Sequence, residues 1–387
     1  MSASEAASLR DAADRAVGAG DLGKARDLLR DAAESAGNDA ALWLRLAAIS
    51  RAQRDISDAL DATHRALAIA PLDFTALLLR ASLLDQLNRT EAGEAWAHAL
   101  AQRPDGDVPE NLAKVIAQAE SRVEEWTGRR EDRMKSAMSS AEAKADEDEL
   151  RRIVRFRSNA LRRTRHYHSE PTHFHFPELP EIEFHPRSAF PWLGALEAAT
   201  EIITAEMYAV MNAERAELVP YVQYPEHMPL DQWRTLNNNT DWTAIHLFQN
   251  GRTIEANARH CPATLELLSR CGQPQIAGAS PNAMFSLLGP GIAIPPHVGF
   301  NNARLVCHLP LIVPEGCWFR VGAQTRYWRR GEAFVFDDTI EHEAMNPSAE
   351  LRVVFIFDVW NPNLSLVERE AVKALIESEG VPSPTGL

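Results

Sequence analysis

Through the first 150 residues, alanine and leucine interleave with arginine, aspartate and glutamate. β-Branched clusters are few, and the only prolines are Pro71, Pro104 and Pro109. This pattern predicts helix throughout. From about residue 283 the period changes. Short alternating runs (AMFSLL, IAIPPHV, ARLVCHLPLIV, CWFRVGAQTRYW, EAFVFDD and LRVVFIFDVW) are separated by GPG, PEG and RRG turns. Closely spaced strands without intervening helices predict an antiparallel sandwich or jelly roll. Between these halves, residues 111–165 read as one long, highly charged helix. A proline-punctuated stretch then leads to an amphipathic helix over 191–217, with Trp192, Leu193, Leu196, Ile202, Ile203 and Met207 on its apolar side.

The helical half repeats. RALAIAP (65–71) returns 33 residues later as HALAQRP (98–104), and Asp21 and Ala25 stand 34 residues before Asp55 and Ala59. Small residues where helices cross, closed by proline at this period, mark helix-turn-helix solenoid repeats, whose units must stack to bury their apolar faces. The segment resembles tetratricopeptide repeats, about two and a half of them, with the usual aromatic positions partly filled by Trp43, Phe74 and Trp96. An ordinary helical bundle is the plainer alternative. A repeat solenoid implies a concave face for a protein or peptide partner, or for self-association into a homo-oligomer.

Composition narrows the function. The chain has 387 residues and a net charge of −14, with 45% apolar residues. Such a chain folds into two or three domains and is a poor candidate for nucleic acid, which requires clustered cations. The charge partitions as −9 over 1–150, +6 over 151–170 and −11 over 171–387. The basic block reads as a solvated connector. Four cysteines and no CxxC pair exclude a disulfide framework and a thiolate zinc ribbon. No apolar run reaches the length of a membrane span, and the N-terminus has no signal-peptide core, so a cytoplasmic protein is expected. The expected domains are 1–110 (repeats), 111–170 (charged helical connector), 171–365 (β-rich domain) and 366–387 (C-terminal helix and tail).

Of 13 histidines, only His64 and His98 lie in the first 150 residues. His166, His168, His173, His175 and His185 crowd one short stretch. HxH pairs there could bind a metal, but the context THFHFPELP reads better as an extended segment lying across the following domain. In the β-rich half, His297 ends one strand and His342 closes the turn FDDTIEH. Their separation is too long for a helical metal motif, yet two strands of one barrel can bring both imidazoles together. Alternation places Arg304, Val306 and His308 on one face and Leu305, Cys307 and Leu309 on the other. Arg352 opens the apolar strand LRVVFIFDV, where an inward guanidinium requires an anion, most naturally a carboxylate. Core histidines and a surface arginine are the plainer alternative. Together, the two histidines and the arginine favour a metal and 2-oxo-acid site.

Residues 171–362 resemble the aspartyl/asparaginyl β-hydroxylase family of Fe(II)/2-oxoglutarate oxygenases. The motifs are THFHFPELPEIEF, DWTAIHLFQNGR, PPHVGFNNARLVCHLPLIVPEGCWFRVG, FDDTIEHEAMN and RVVFIFDVWNP. The resemblance implies an α+β chain, an N-terminal all-helical repeat domain followed by a double-stranded β-helix (jelly-roll, cupin-like) domain. It implies a dioxygenase that uses Fe(II), 2-oxoglutarate and O2 to hydroxylate the β-carbon of a peptidyl Asp or Asn. His297 and His342 would be the iron ligands. Gly299 stands where most such oxygenases carry a third, carboxylate ligand, so Asp338 would act behind a water. Ser286 and Arg352 would hold the distal carboxylate of 2-oxoglutarate, with His308 nearer the iron, and Arg304 would contact an acidic substrate group. Val306 departs from the family pattern, since members that act on epidermal-growth-factor-like domains have arginine there. Two alternatives remain open: hydroxylation of a lipid-linked acyl chain or small acid, and a scaffold whose barrel is silent.

Overall fold

In the computed structural model the two sequence patterns become two compact units, residues 1–161 and 162–387. The structure describes residues 3–106, 108–213, 219–223, 233–234 and 236–379.

In the first unit the helices pair as three successive hairpins. They are α1 (Ala3–Gly18) with α2 (Leu22–Ala36), α3 (Ala40–Ala52) with α4 (Ile56–Ile69), and α5 (Phe74–Gln86) with α6 (Ala92–Leu100). The period has a physical basis. Ala25, Ala59 and Ala92 are buried, as are Ala32, Ala66 and Ala99, so the second helix of each hairpin presents small residues at its crossings. Aspartates set the starts. Asp21 and Asp55 cap α2 and α4 by accepting from Lys24 and Asp58 N–H, while Asp39 and Asp73 cap α3 and α5. Each such cap stabilises its helix by about 1 kcal/mol. Three hairpins thus replace the expected two and a half.

The single helix expected over 111–165 is instead two: α7 (Glu110–Glu142) and α8 (Glu147–Ala160). The break falls where Asp146 and Glu149 form a capping box, each side chain accepting from the other's backbone N–H. That motif starts a new helix rather than continuing one. α7 buries Ile116 and Ala119. It packs so close to α6 that a β-carbon at Gly93 would collide with Trp126.

The second unit opens with α9 (Leu193–Ala198) and α10 (Thr200–Met211), short helices that divide the amphipathic helix expected over 191–217. Ala199 leaves helical geometry between them, and Ile202, expected inward, is exposed while Ile203 and Met207 are buried. Residues 214–217 of that expectation lie outside the described residues. The strands are β1 (Val219–Pro220), β2 (Trp242–Gln249), β3 (Arg252–Thr253), β4 (Ala283–Leu288), β5 (Ala293–His297), β6 (Arg304–Ile312), β7 (Trp318–Val321), β8 (Gln324–Tyr327), β9 (Phe334–Phe336), β10 (His342–Met345) and β11 (Arg352–Trp360). Short helices α11 (Glu255–Ala258) and α12 (Pro262–Leu268) follow β3.

All pairings are antiparallel and form two sheets, β1-β2-β4-β11-β6-β9 with β3 on β2, and β5-β10-β7-β8. One core lies between the large sheet and α9, α10 and α12, built from Leu196, Ile203, Phe285, Leu305, Cys307 and Phe355. A second lies between the sheets, built from Met284, Val306, Phe319, Val321, Phe336 and Ile356. The large sheet is covered on both faces, which is why β4, β6 and β11 read as near-continuous apolar runs. This is a jelly-roll-like sandwich, and the described strands do not close into a barrel. The four cysteines are free and buried.

The HxH stretch is an extended strap. Bridges link Ser169 to Ile340, Phe174 to Asn301 and Phe184 to Phe336. His173 stacks at 4.5 Å on Phe300. His185 is buried, and desolvation lowers its pKa to about 4. The chain's described part ends in α13 (Leu366–Glu379), anchored by buried Ile376; the tail beyond lies outside the described residues. No described helix is long and apolar enough to cross a membrane.

Candidate active site

β5 and β10 pair so that His297 and His342 are direct cross-strand partners. Their ring centroids are 3.9 Å apart. Each Nδ1–H donates to the carbonyl two residues upstream, His297 to Pro295 at 2.8 Å and His342 to Ile340 at 3.1 Å. A carbonyl can only accept, so the proton sits on Nδ1 and the Nε2 lone pair is free. Burial lowers both pKa values, that of His297 to about 4. Both rings are therefore neutral at pH 7, the state that binds a metal, and the carbonyl bonds fix the tautomer as they do for metal-ligating histidines.

Gly299, two residues past His297, lies directly against the Asp338 carboxylate. A β-carbon there would overlap Asp338, so no side chain fits while that carboxylate holds its place. The approach is fixed by Gly299 N–H donating to the Asp338 carbonyl at 2.7 Å. Arg304 Nη2 pairs with Asp338 Oδ2 at 3.1 Å, and both side chains are buried. Asp338 Oδ1 and Arg304 Nη1 have no hydrogen-bond partner. Desolvation raises the pKa of Asp338 and Arg304 counteracts it; the neighbouring Asp337 is raised to about 7, chiefly by burial.

The large sheet contributes a cation to the site. Arg352 is buried, and its Nε and Nη2 are unpartnered. Its guanidinium carbon lies 5.5 Å from the centre of the Trp328 ring. Desolvation lowers its pKa to about 10, so it remains charged at neutral pH. Ser286, paired with Val354 on the adjacent strand, shares this face. Its hydroxyl accepts from Trp242 Nε1–H at 3.0 Å, leaving its own proton to donate elsewhere. His308 stacks on Trp328 at 5.5 Å; its Nδ1 is unpartnered, and burial, then Arg352, holds it neutral. Ser286, His297, His308, His342 and Arg352 line one cavity of about 40 Å³, with Tyr221, Trp242, Phe319 and Trp328 among its walls. That is several times the room one water needs. A buried, unpaired guanidinium costs several kcal/mol unless an anion joins it.

Two neutral imidazoles from one sheet and a buried cation from the other, lining one cavity, fit a metal and a carboxylate. Residues 197–362 match the family described as "Aspartyl/Asparaginyl beta-hydroxylase". Over that stretch the C-terminal unit is similar in sequence to this family. The human aspartyl/asparaginyl beta-hydroxylase is 32% identical over 183 residues, covering 47% of this chain and 22% of that protein. Aspartate beta-hydroxylase domain-containing protein 2 of Xenopus tropicalis is 32% identical over 210 residues, covering 53% of this chain and 54% of the relative. The chain thus spans between about a fifth and a half of the length of these relatives. Among solved structures, the Arabidopsis OM64 TPR domain is 21% identical, covers 32% of this chain and 96% of that one, and has a TM-score of 0.27. At that score the likeness carries no argument; the repeats rest on the three hairpins themselves.

Within this unit, five of the seven residues expected at the site line the cavity. Arg304 and Asp338 are not part of that lining and are paired with one another. Sequence reasoning missed the aromatic wall. Tyr221 stacks on Trp242 at 3.8 Å, and Trp233 meets the His297 ring at 4.7 Å. Trp242 in DWTAIH was available as a signal, since it stands two residues before Ala244 on a strand with one face toward the site.

Proposed function

We propose that the C-terminal unit is an Fe(II)/2-oxoglutarate-dependent dioxygenase that hydroxylates the β-carbon of a peptidyl Asp or Asn. The observation that carries this reading is one cavity lined by His297 and His342 from the small sheet and by Arg352, whose Nε and Nη2 are unpartnered, from the large sheet. His297 and His342 would hold the iron through Nε2, oriented by their carbonyl bonds. Bound there with 2-oxoglutarate and O2, iron supplies the oxidising power for a C–H bond.

The rest is the protein's work. Arg352 and the Ser286 hydroxyl would bind the distal carboxylate of 2-oxoglutarate, and Trp328 keeps the guanidinium in place. His308, neutral and unpartnered at Nδ1, would contact the end nearer the iron. Asp338 fills the space over Gly299 that a third ligand would need, and its unpartnered Oδ1 would order a water in the remaining position. Arg304 Nη1 is left to receive an acidic substrate group. The aromatic wall excludes bulk water, which strengthens each of these contacts. The helical repeats would offer a surface for a protein or peptide substrate, or for a second copy of the chain.

The test is incubation of the full chain with Fe(II), 2-oxoglutarate and peptide pools containing Asp or Asn, followed by fragmentation mass spectrometry. One added oxygen on an Asp or Asn β-carbon, dependent on 2-oxoglutarate, is expected. Oxygen found only on lipid or free-acid substrates would overturn the substrate assignment.

A further inference from the structure

A second constellation of metal-binding side chains lies on the strap, apart from the cavity. Among the described residues, His166, His168 and Glu181 bring one ligand atom each within 4.8 Å of one another. His166 Nδ1 lies 3.2 Å from His168 Nε2. Glu181 Oε2 lies 3.2 Å from His168 Nδ1 and 3.7 Å from His166 Nε2. These spacings involve both nitrogens of each ring; with one donor taken from each residue, the three lie within 4.8 Å of one another, against about 3.3–3.4 Å for donors of a tetrahedral site with bonds of about 2.0–2.1 Å. Both imidazoles are more than half exposed, free to turn one nitrogen each toward an ion. Glu181 is held from behind by Ser169 N–H, which donates to its other oxygen at 3.0 Å. Arg165, the nearest cation in the sequence, reaches toward Glu341 rather than Glu181.

We propose that His166, His168 and Glu181 form a site for a divalent transition-metal ion of the zinc class, which closes the strap into a loop. Two imidazoles and one carboxylate are the donor set that zinc prefers over calcium or magnesium. The ion takes the place of the His166–His168 hydrogen bond, each ring keeping its N–H on the nitrogen turned away from the ion, and water completes its shell. Its consequence follows from where the strap goes next. Ser169 hydroxyl bonds to Thr339 at 2.7 Å, Glu170 N–H donates to the Thr339 carbonyl and Thr172 N–H to the Gly299 carbonyl. The strap therefore rests on the two segments that carry His297 and His342. An ion joining residue 166 to residue 181 closes a short loop at its origin and lowers the entropy of its undocked state.

The test uses the full chain with zinc as probe, bound-metal stoichiometry after equilibrium dialysis, and hydrogen exchange over 166–181. His166→Ala/His168→Ala is expected to bind one zinc fewer than the unsubstituted protein. Glu181→Gln should weaken that ion's binding at least about tenfold. Zinc should slow exchange across 166–181 in the unsubstituted protein and in His297→Ala/His342→Ala, which separates this site from the cavity. Unchanged stoichiometry in His166→Ala/His168→Ala, or zinc-independent exchange across 166–181, overturns the proposal. Both His166 and His168 are exposed, so their replacement leaves the fold intact, as a matching circular-dichroism melt would verify.

Discussion

Arg352 and Trp328 form a guanidinium–indole contact of 5.5 Å, and among the described residues the cation has no acidic partner. The protein therefore carries the desolvation cost of a buried charge until an anion arrives. Arg352→Met should raise the stability of the ligand-free protein by about 1–4 kcal/mol, because it replaces an uncompensated charge with an apolar chain of similar length. The same change should weaken 2-oxoglutarate binding by about 2 kcal/mol or more, roughly 30-fold in Kd. Thermal melts and calorimetric titration check both halves. A variant that is less stable yet binds 2-oxoglutarate normally would place the anion elsewhere.

Gly299 and Asp338 compete for one volume. Gly299→Ala should destabilise the fold by about 1–3 kcal/mol through overpacking. In an Asp338→Ala background the same substitution should cost much less, because the carboxylate it strikes is gone. Urea unfolding of the two single variants and the double variant gives the coupling, expected to exceed about 1 kcal/mol. Simple additivity would show that Asp338 does not fill the space over Gly299.

Burial raises the pKa of Asp337 from 3.8 to about 7. A carboxyl group with a raised folded-state pKa favours the native state below its unfolded pKa, and that advantage is lost as pH rises toward the folded value. Relative to Asp337→Asn, the unsubstituted protein should therefore lose a few kcal/mol of stability between about pH 4 and pH 7 and change little above it. Urea midpoints measured across that range test the sign. No pH-dependent difference would mean that Asp337 ionises in the native state without penalty, and a difference that grows in the opposite direction that the native state favours its carboxylate.

Val306 lies in the core between the sheets, on the strand face that also carries Arg304 and His308. Val306→Arg would bury another cation there. It should cost at least about 3 kcal/mol in the ligand-free protein, with part of the loss recovered by 2-oxoglutarate. Chemical denaturation with and without the co-substrate measures this. Undiminished stability would show a pocket already shaped for arginine.

Local chemistry was legible in the sequence where one residue type has one tolerable environment. Arg352 within LRVVFIFDV had to find an anion or the surface, and strand alternation separated His308 and Val306 from Cys307 and Leu305 correctly. The repeat period was legible because it reflects buried alanines and aspartate caps. Register was not: nothing in PPHVG or TIEHE alone states that His297 and His342 are direct partners. The aromatic wall was also hidden, since Tyr221, Trp242 and Trp328 come from three separated segments. Helix ends set by a few residues were misread. Asp146 and Glu149 scored as charge when they act as a cap, and Ala199, a good helix former, interrupts an amphipathic pattern that tertiary packing divides.

Succinate production from 2-oxoglutarate by the purified chain, with and without Fe(II) and in His297→Ala and His342→Ala, tests the central claim most directly. Iron-dependent turnover that falls to the no-enzyme background in both variants is the predicted result. Turnover that persists unchanged in either variant would contradict it.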